Sequence, residues 1–222
     1  MPLPAALLTA SGSVQVDSLV FDLDGTLWDT CESCARGWNN VLSRHALPFR
    51  SIVADDVRRV AGKPHDQCIR ETFLGFSEEQ LRLLSAETAL EDNLMIEQHG
   101  GVLYPSVAEG LTKLARKYPL FIVSNCQSGY IELFLRKNGL EALFVDWECW
   151  GDTGAPKPAN LQNLIARNHL QQPWFIGDAA GDQEAAHTCN IPFVHATYGF
   201  GQVKTADLLL PNFDALLHAL AC

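Results

Sequence analysis

Short unbroken apolar runs alternate with amphipathic stretches over most of the chain, and one long block between them is purely helical in period. The first run, Leu19-Val20-Phe21, leads into Asp22-Leu23-Asp24-Gly25-Thr26-Leu27. It has the length of a buried strand, and Gly25 suits a sharp turn at the strand's carboxyl end. From Cys31 to about Gly101 the period becomes helical, with Trp38, Val41 and Leu42 on one face and Leu81, Leu84, Thr88 and Met95 on another. The second of these runs opens on the capping box Ser77-Glu78-Glu79-Gln80. After Gly100-Gly101 the alternation returns. Pro105-Ser106-Val107-Ala108-Glu109 reads as a helix start with a second capping box, and Leu120-Phe121-Ile122-Val123 as a strand ending in Ser124-Asn125. A helix carrying Ile131, Phe134 and Leu135 should stop near Asn138-Gly139. Leu143-Phe144-Val145, Trp174-Phe175-Ile176, Pro192-Phe193-Val194 and Leu208-Leu209-Leu210 complete the strands. Short strands alternating with helices predict an α/β fold with a doubly wound parallel sheet. Residues 1–30 and 102–222 would form that core, and residues 31–101 an all-helical insert after its first strand.

Composition narrows the partners. A chain of 222 residues, 47% hydrophobic, can bury a real core. Its net charge of −10 speaks against a nucleic-acid or anionic-membrane partner. Seven cysteines form no even framework, which suits reduced thiols in a cytosolic, cytoplasmic setting. Cys31 and Cys34 imitate half of a redox or zinc site, but no second pair follows, and they read as packing thiols. The first eighteen residues lack the basic start of a signal peptide and read as a loosely ordered tail.

Candidate chemistry gathers where strands end. Asp22 and Asp24 lie two apart, so in an extended strand both would leave one face, and two anions so close call for a cation such as Mg²⁺. Ser124 follows the second strong strand, and its hydroxyl, with Asn125 beside it, could bind phosphoryl oxygens. Lys157, between Pro156 and Pro158, is the only lysine between Lys137 and Lys204. A stiffly presented ammonium can offset a nucleophilic carboxylate and a phosphate together. Asp178 and Asp182, four apart among small residues after an apolar strand, suit a metal close to the backbone. In a parallel sheet all these ends share one edge.

The stretch Asp22-Leu23-Asp24-Gly25-Thr26-Leu27, followed by Asp29-Thr30, resembles the nucleophile motif of the haloacid dehalogenase-like hydrolases, in the phosphoglycolate phosphatase and β-phosphoglucomutase-like branch. Ser124, Lys157 and Gly177-Asp178-Ala179-Ala180-Gly181-Asp182 are similar to the family's remaining motifs and stand in the same order. The resemblance implies a Rossmann-like core with a helical cap inserted at residues 31–101. It implies Asp22 as nucleophile, Asp24 as general acid/base, and Ser124, Asn125 and Lys157 as phosphate-binding groups. Asp22, Asp24, Asp178 and Asp182 would surround Mg²⁺. In the family a cap loop closes over the substrate, which singles out Lys63 and His65 in Val60-Ala61-Gly62-Lys63-Pro64-His65. Two departures stand out: Ser106 where the family usually has Gly, which the capping box would make harmless, and Asn160 in place of a second Pro after Lys157. The activity implied is Mg²⁺-dependent hydrolysis of a small phosphorylated metabolite through an aspartyl-phosphate. Dehalogenases and phosphonoacetaldehyde hydrolases lack an acid at the position of Asp24. A sugar phosphomutase of the β-phosphoglucomutase type, and a core that binds metal or phosphate without turnover, remain open alternatives. The metabolite and the oligomeric state are not legible.

Overall fold

A computed structural model describes residues 15–222, so the expected N-terminal tail lies almost wholly outside the described residues. Strand β1 (Ser18–Phe21) is followed by β2 (Trp28–Asp29) and then by four helices: α1 (Cys31–Arg44), α2 (Ala54–Arg58), α3 (His65–Thr72) and α4 (Glu78–His99). Strand β3 (Val102–Leu103) closes this insert by pairing antiparallel with β2, a two-residue ribbon that the hydrophobic pattern does not announce. There follow α5 (Val107–Leu114), β4 (Leu120–Ser124), α6 (Tyr130–Asn138), β5 (Phe144–Cys149), α7 (Trp150–Thr153) and α8 (Lys157–Arg167). The chain ends with β6 (Pro173–Gly177), α9 (Ala180–Thr188), β7 (Phe193–Ala196), β8 (Leu208–Leu210) and α10 (Asp214–Ala219).

The six main strands form one sheet in the order β5-β4-β1-β6-β7-β8, with every neighbouring pair parallel. The α/β, doubly wound expectation holds. β1 lies inside the sheet, with β4 on one side and β6 on the other, so the strand order reverses there and opens a crevice at the carboxyl ends. Strand alternation divides the core into two. Leu19 and Phe21 of β1, with Ile122 and Ile176, face Leu111, Phe134 and Leu216 of α5, α6 and α10. Val20, with Phe121 and Phe175, faces Leu161, Leu164 and Ala185 of α8 and α9. The first of these clusters runs on through Trp28 into Trp38, Phe73 and Leu84 of the insert, so core and helices share one apolar interior.

Three local expectations are corrected. No capping box forms at Ser106, because its backbone is left-handed at φ +66° and its side chain makes no cap bond. The hydroxyl donates instead to Asp214 Oδ2 at 3.0 Å, tying α5 to α10. The strand expected at Leu143 starts one residue later and runs to Cys149, because it is the sheet edge and carries Asp146, Trp147 and Glu148 half-exposed. Arg167 of α8 pairs with both acids. Asp24 does not follow Asp22 along an extended strand. The carbonyl of Leu23 takes the N–H groups of Thr26, Leu27 and Trp28, so the chain coils into a turn directly after Asp22 and the alternation ends there. The capping box at α4 does form: Ser77 Oγ accepts from Gln80 N at 3.3 Å and Gln80 Oε1 from Ser77 N at 2.9 Å.

Candidate active site

Asp22 continues the β1 ladder by one bond, its N–H donating to Ile176 O at 2.8 Å. By parity it then points to the face of Val20, which α8 and α9 cover, and their first turns meet it there. Lys157, the first residue of α8, donates to Asp22 Oδ1 at 2.7 Å and to Asp182 Oδ1 at 2.6 Å. All three side chains are buried. Asn160, where the family pattern has Pro, fastens the loop before Lys157 by accepting from Thr153 Oγ1 at 2.9 Å and donating to Ala155 O at 3.2 Å.

Asp182 lies in the first turn of α9, and its Oδ2 accepts from the backbone N–H groups of Asp178 at 3.1 Å and Ala179 at 2.9 Å. Both its oxygens are therefore engaged. Asp178 is held by the segment after β7, its Oδ2 accepting from Phe200 N at 2.7 Å and Gly201 N at 3.0 Å. Gly25 lies against that same oxygen: at φ +83° a Cβ there would stand 2.4 Å from Asp178 Oδ2, so only glycine fits.

Carboxylate oxygens of Asp22, Asp178 and Asp182 come within 4.8 Å of one another, the one such cluster of acids, His or Cys among the described residues. Asp22 Oδ2 and Asp178 Oδ1 are buried without a partner there. Burial and the neighbouring Asp182 push Asp22 well above the carboxylate range, against the pull of Lys157, and they raise Asp178 to about 7. Burial opposes the charge on Lys157, but Asp182 and Asp22 outweigh it and hold the ammonium above its ordinary range. Three carboxylates against one ammonium, with two oxygens left unpartnered, fit a hard divalent cation.

Asp24 stays out of this cluster. Its Oδ1 accepts from Tyr130 at 2.7 Å and from Thr30 at 3.2 Å, on the side of α6 and the start of α1. Burial raises its carboxyl to about 6, which these two hydrogen bonds resist. Ser124 Oγ accepts from Cys126 N at 3.3 Å, and Asn125 Nδ2 donates to Gly62 O of the insert at 2.9 Å.

A cavity of about 60 Å³ lies between these residues and the insert. Asp22, Asp24, Ser124 and Asn125 wall it from the sheet side, and Lys63, His65 and Asp92 from the insert. Lys63 is paired with Glu71. His65 is buried and bonds through Nε2 to Thr88 Oγ1 at 2.8 Å, and burial keeps its pKa down at about 4. Burial pushes the Asp92 carboxyl up, although Trp38 Nε1 donates to its Oδ2 at 3.2 Å.

The model of the haloacid dehalogenase-like hydrolase family matches residues 19–196, most of the chain and every motif from Asp22 to Asp182. The chain belongs to this family. Among curated relatives, a phosphoglycolate phosphatase of Yersinia pseudotuberculosis is 27% identical over 92% of this chain and 93% of its own length. One of Pasteurella multocida is 30% identical over 81% of this chain and 85% of its own. A solved structure described as a predicted phosphoglycolate phosphatase from Haemophilus somnus superposes with a TM-score of 0.80 at 25% identity, covering 93% of this chain and 99% of that one. The chain is thus a hydrolase of the haloacid dehalogenase-like type, similar to phosphoglycolate phosphatases, as the motif around Asp22 implies. Among the described residues no helix is long and apolar enough to cross a membrane, and all seven cysteines, Cys31 and Cys34 included, are free.

Sequence reasoning passes over three contributors. Tyr130, which holds Asp24, reads as an ordinary aromatic at a helix start. The Phe200 and Gly201 N–H groups that fix Asp178 carry no side-chain signal, only the Gly-Phe-Gly after a strand. Asp92 did leave a trace: it continues the apolar stripe of Leu84, Thr88 and Met95, where an acid is out of place.

Proposed function

We propose that this hydrolase is a Mg²⁺-dependent phosphatase that cleaves a small phosphate monoester through a phosphoryl group carried on Asp22. The observation behind this reading is the geometry of Asp22: it belongs to the acidic cluster, one of its oxygens is fixed by Lys157, and the other is buried and unpartnered. Asp22 and Asp178, each with a spare oxygen, are the residues that would hold Mg²⁺, with Asp182 orienting its neighbours. The cation would supply charge neutralisation between the nucleophile and the phosphate.

The free oxygen of Asp22 attacks phosphorus, an acyl-phosphate bond forms, and the ester P–O bond breaks. Asp24, raised by burial to about 6, gives its proton to the departing alkoxide. The same carboxylate then takes a proton from water as that water attacks the phosphorus, releasing phosphate and restoring Asp22. Lys157 and the hydroxyl of Ser124 bind the transferring phosphoryl oxygens, with Asn125 beside them. We assign residues 31–101 as a cap that shuts bulk water out of this step, hinged at the β2–β3 ribbon, where Arg58 of α2 reaches Asp29 at 2.8 Å.

The test is phosphate release from p-nitrophenyl phosphate and a panel of small phosphorylated metabolites, with Mg²⁺ and with chelator. Metal-dependent release is expected, and Asp22→Asn should lower kcat by at least about a thousandfold while the fold persists. Near-native turnover by a folded Asp22→Asn protein would refute the mechanism, and silence across the panel from a protein that binds Mg²⁺ would favour a non-catalytic binding module.

A further inference from the structure

The hydrogen bonds around the Asp24 carboxyl all fall on one of its two oxygens. Oδ1 meets the Tyr130 hydroxyl at 2.7 Å and Thr30 Oγ1 at 3.2 Å. Oδ2 has no hydrogen bond among the described residues and is not one of their buried unpartnered atoms, while Asp24 lines the cavity. Oδ2 is therefore the oxygen left for a ligand.

The backbone of Asp24 is fixed separately, bridged to Trp28, with Gly25 N–H donating to Trp28 O at 3.0 Å. What remains to be set is the rotation of the side chain, which has several staggered choices on a fixed backbone. Tyr130 selects among them. It is buried at the start of α6, and its ring packs edge-on against Trp28 with the ring centroids 5.5 Å apart. Since Trp28 closes the turn that carries Asp24, the phenol is braced against the segment whose carboxyl it holds. Thr30 Oγ1 lies 2.6 Å from the phenol oxygen. A bond to a carboxylate is charge-assisted and outweighs one between hydroxyls, so Tyr130 donates to Asp24 and is free to accept from Thr30. With a donor seated on Oδ1, the proton of the acid form resides on Oδ2.

Both halves of the reaction call on that free oxygen, because the departing alkoxide and the attacking water each exchange a proton with Asp24 at hydrogen-bond reach. A carboxyl turned away from its task costs rate. Resting on the phosphatase reading above, we propose that Tyr130 is the positioning residue for this proton transfer: it holds Oδ1 so that Oδ2 gives the proton to the leaving group and later takes one from water. Its hydroxyl, engaged with Asp24 and Thr30, acts through Asp24 and not on the substrate.

Tyr130→Phe keeps the ring against Trp28 and removes only the hydroxyl. Its effect should follow the leaving group's need for a proton. Wild type and variant, with Mg²⁺, are compared by kcat/KM, which covers the steps up to departure of the alcohol, on phenyl phosphate and p-nitrophenyl phosphate. The two esters share one shape apart from the nitro group. Phenol ionises near pH 10, roughly as a tyrosine does, so phenolate leaves poorly without a proton, whereas p-nitrophenolate leaves readily as the anion. The variant should lose about tenfold or more on phenyl phosphate and no more than about threefold on p-nitrophenyl phosphate. Equal losses on both would mean that Tyr130 only supports the fold, and no loss on phenyl phosphate would mean that Asp24 needs no holding; either overturns the proposal and leaves the phosphatase reading standing. No release from either ester by the wild type overturns that reading with it. In an Asp24→Asn background the same change should cost no more than about twofold on phenyl phosphate, and a loss as large as in the wild type would place the action of Tyr130 elsewhere. Thr30→Val keeps the Tyr130 bond to Asp24 and carries the test if Tyr130→Phe does not fold. It should lower turnover of phenyl phosphate about threefold more than that of p-nitrophenyl phosphate, and an equal effect on both would overturn the assignment.

Discussion

Lys157 stands between two carboxylates that come from opposite ends of the chain, Asp22 after β1 and Asp182 in α9. The three groups are buried together, so removing the ammonium leaves two buried carboxyls facing each other without a cation and with Asp178 close by. Lys157→Met in chelator should therefore destabilise the fold by about 3–5 kcal/mol at neutral pH, as broken buried ion pairs do. Urea denaturation of the two proteins measures it, and a loss below about 1 kcal/mol would show that water already solvates the cluster. These chemical residues were legible at the same scale: Asp22, Ser124, Lys157, Asp178 and Asp182 were each named from strand-end position and residue type. Their partners were not. Tyr130 reaches Asp24 only because α6 docks beside the turn after β1, a relation between segments that no local pattern encodes.

At the scale of elements, the apolar strands β1, β4 and β6 were readable because both their faces are buried and their runs unbroken. β5 was misplaced because an edge strand keeps charged residues, and Ser106, which does precede α5, was given a capping box because composition does not reveal its left-handed φ. Ser106 carries a prediction. A left-handed non-glycine backbone costs on the order of 1 kcal/mol, and its exposed bond to Asp214 returns less. Ser106→Gly should raise stability by about 0.5–1 kcal/mol, seen as a higher urea midpoint with unchanged slope. The helical insert carries another. His65 titrates near 6.5 in a free chain and near 4 inside the fold, so as pH falls the unfolded chain binds the proton first. The stability gained by keeping it neutral is complete above about pH 6.5 and is lost on the way down to about 4. Between pH 7 and 5 the wild type should lose about 2 kcal/mol that His65→Gln does not lose, so their denaturation midpoints should converge on acidification. Parallel pH curves would mean that His65 is more hydrated than its burial indicates.

Over the whole molecule, the convergence of distant residues followed from a rule of sheets: strands of one parallel sheet end on one edge, and β1 marks the point where strand order reverses. The wall of the cavity did not follow, since Asp92 becomes part of it only when α4 packs on α1 and Trp38 takes one of its oxygens. The same convergence makes the acidic cluster a device for linking a cation to the fold. Asp22 follows β1, Asp178 lies between β6 and α9, Asp182 in the first turn of α9, and Gly25 and the segment at Phe200 close on Asp178 from two further directions. An unfolded chain scatters these groups, so a divalent cation held there would bind the native state almost alone and stabilise it by mass action. At one hundred times its dissociation constant, Mg²⁺ should add about 2.7 kcal/mol to unfolding. The effect should be largest above about pH 7, where Asp178 no longer holds a proton in competition with the metal, and should fade as pH drops below that value. Thermal denaturation with Mg²⁺ and with chelator, at pH 8 and at pH 5.5, measures both terms. Asp178→Asn should remove most of the shift at either pH, and an undiminished shift in that variant would place the cation elsewhere.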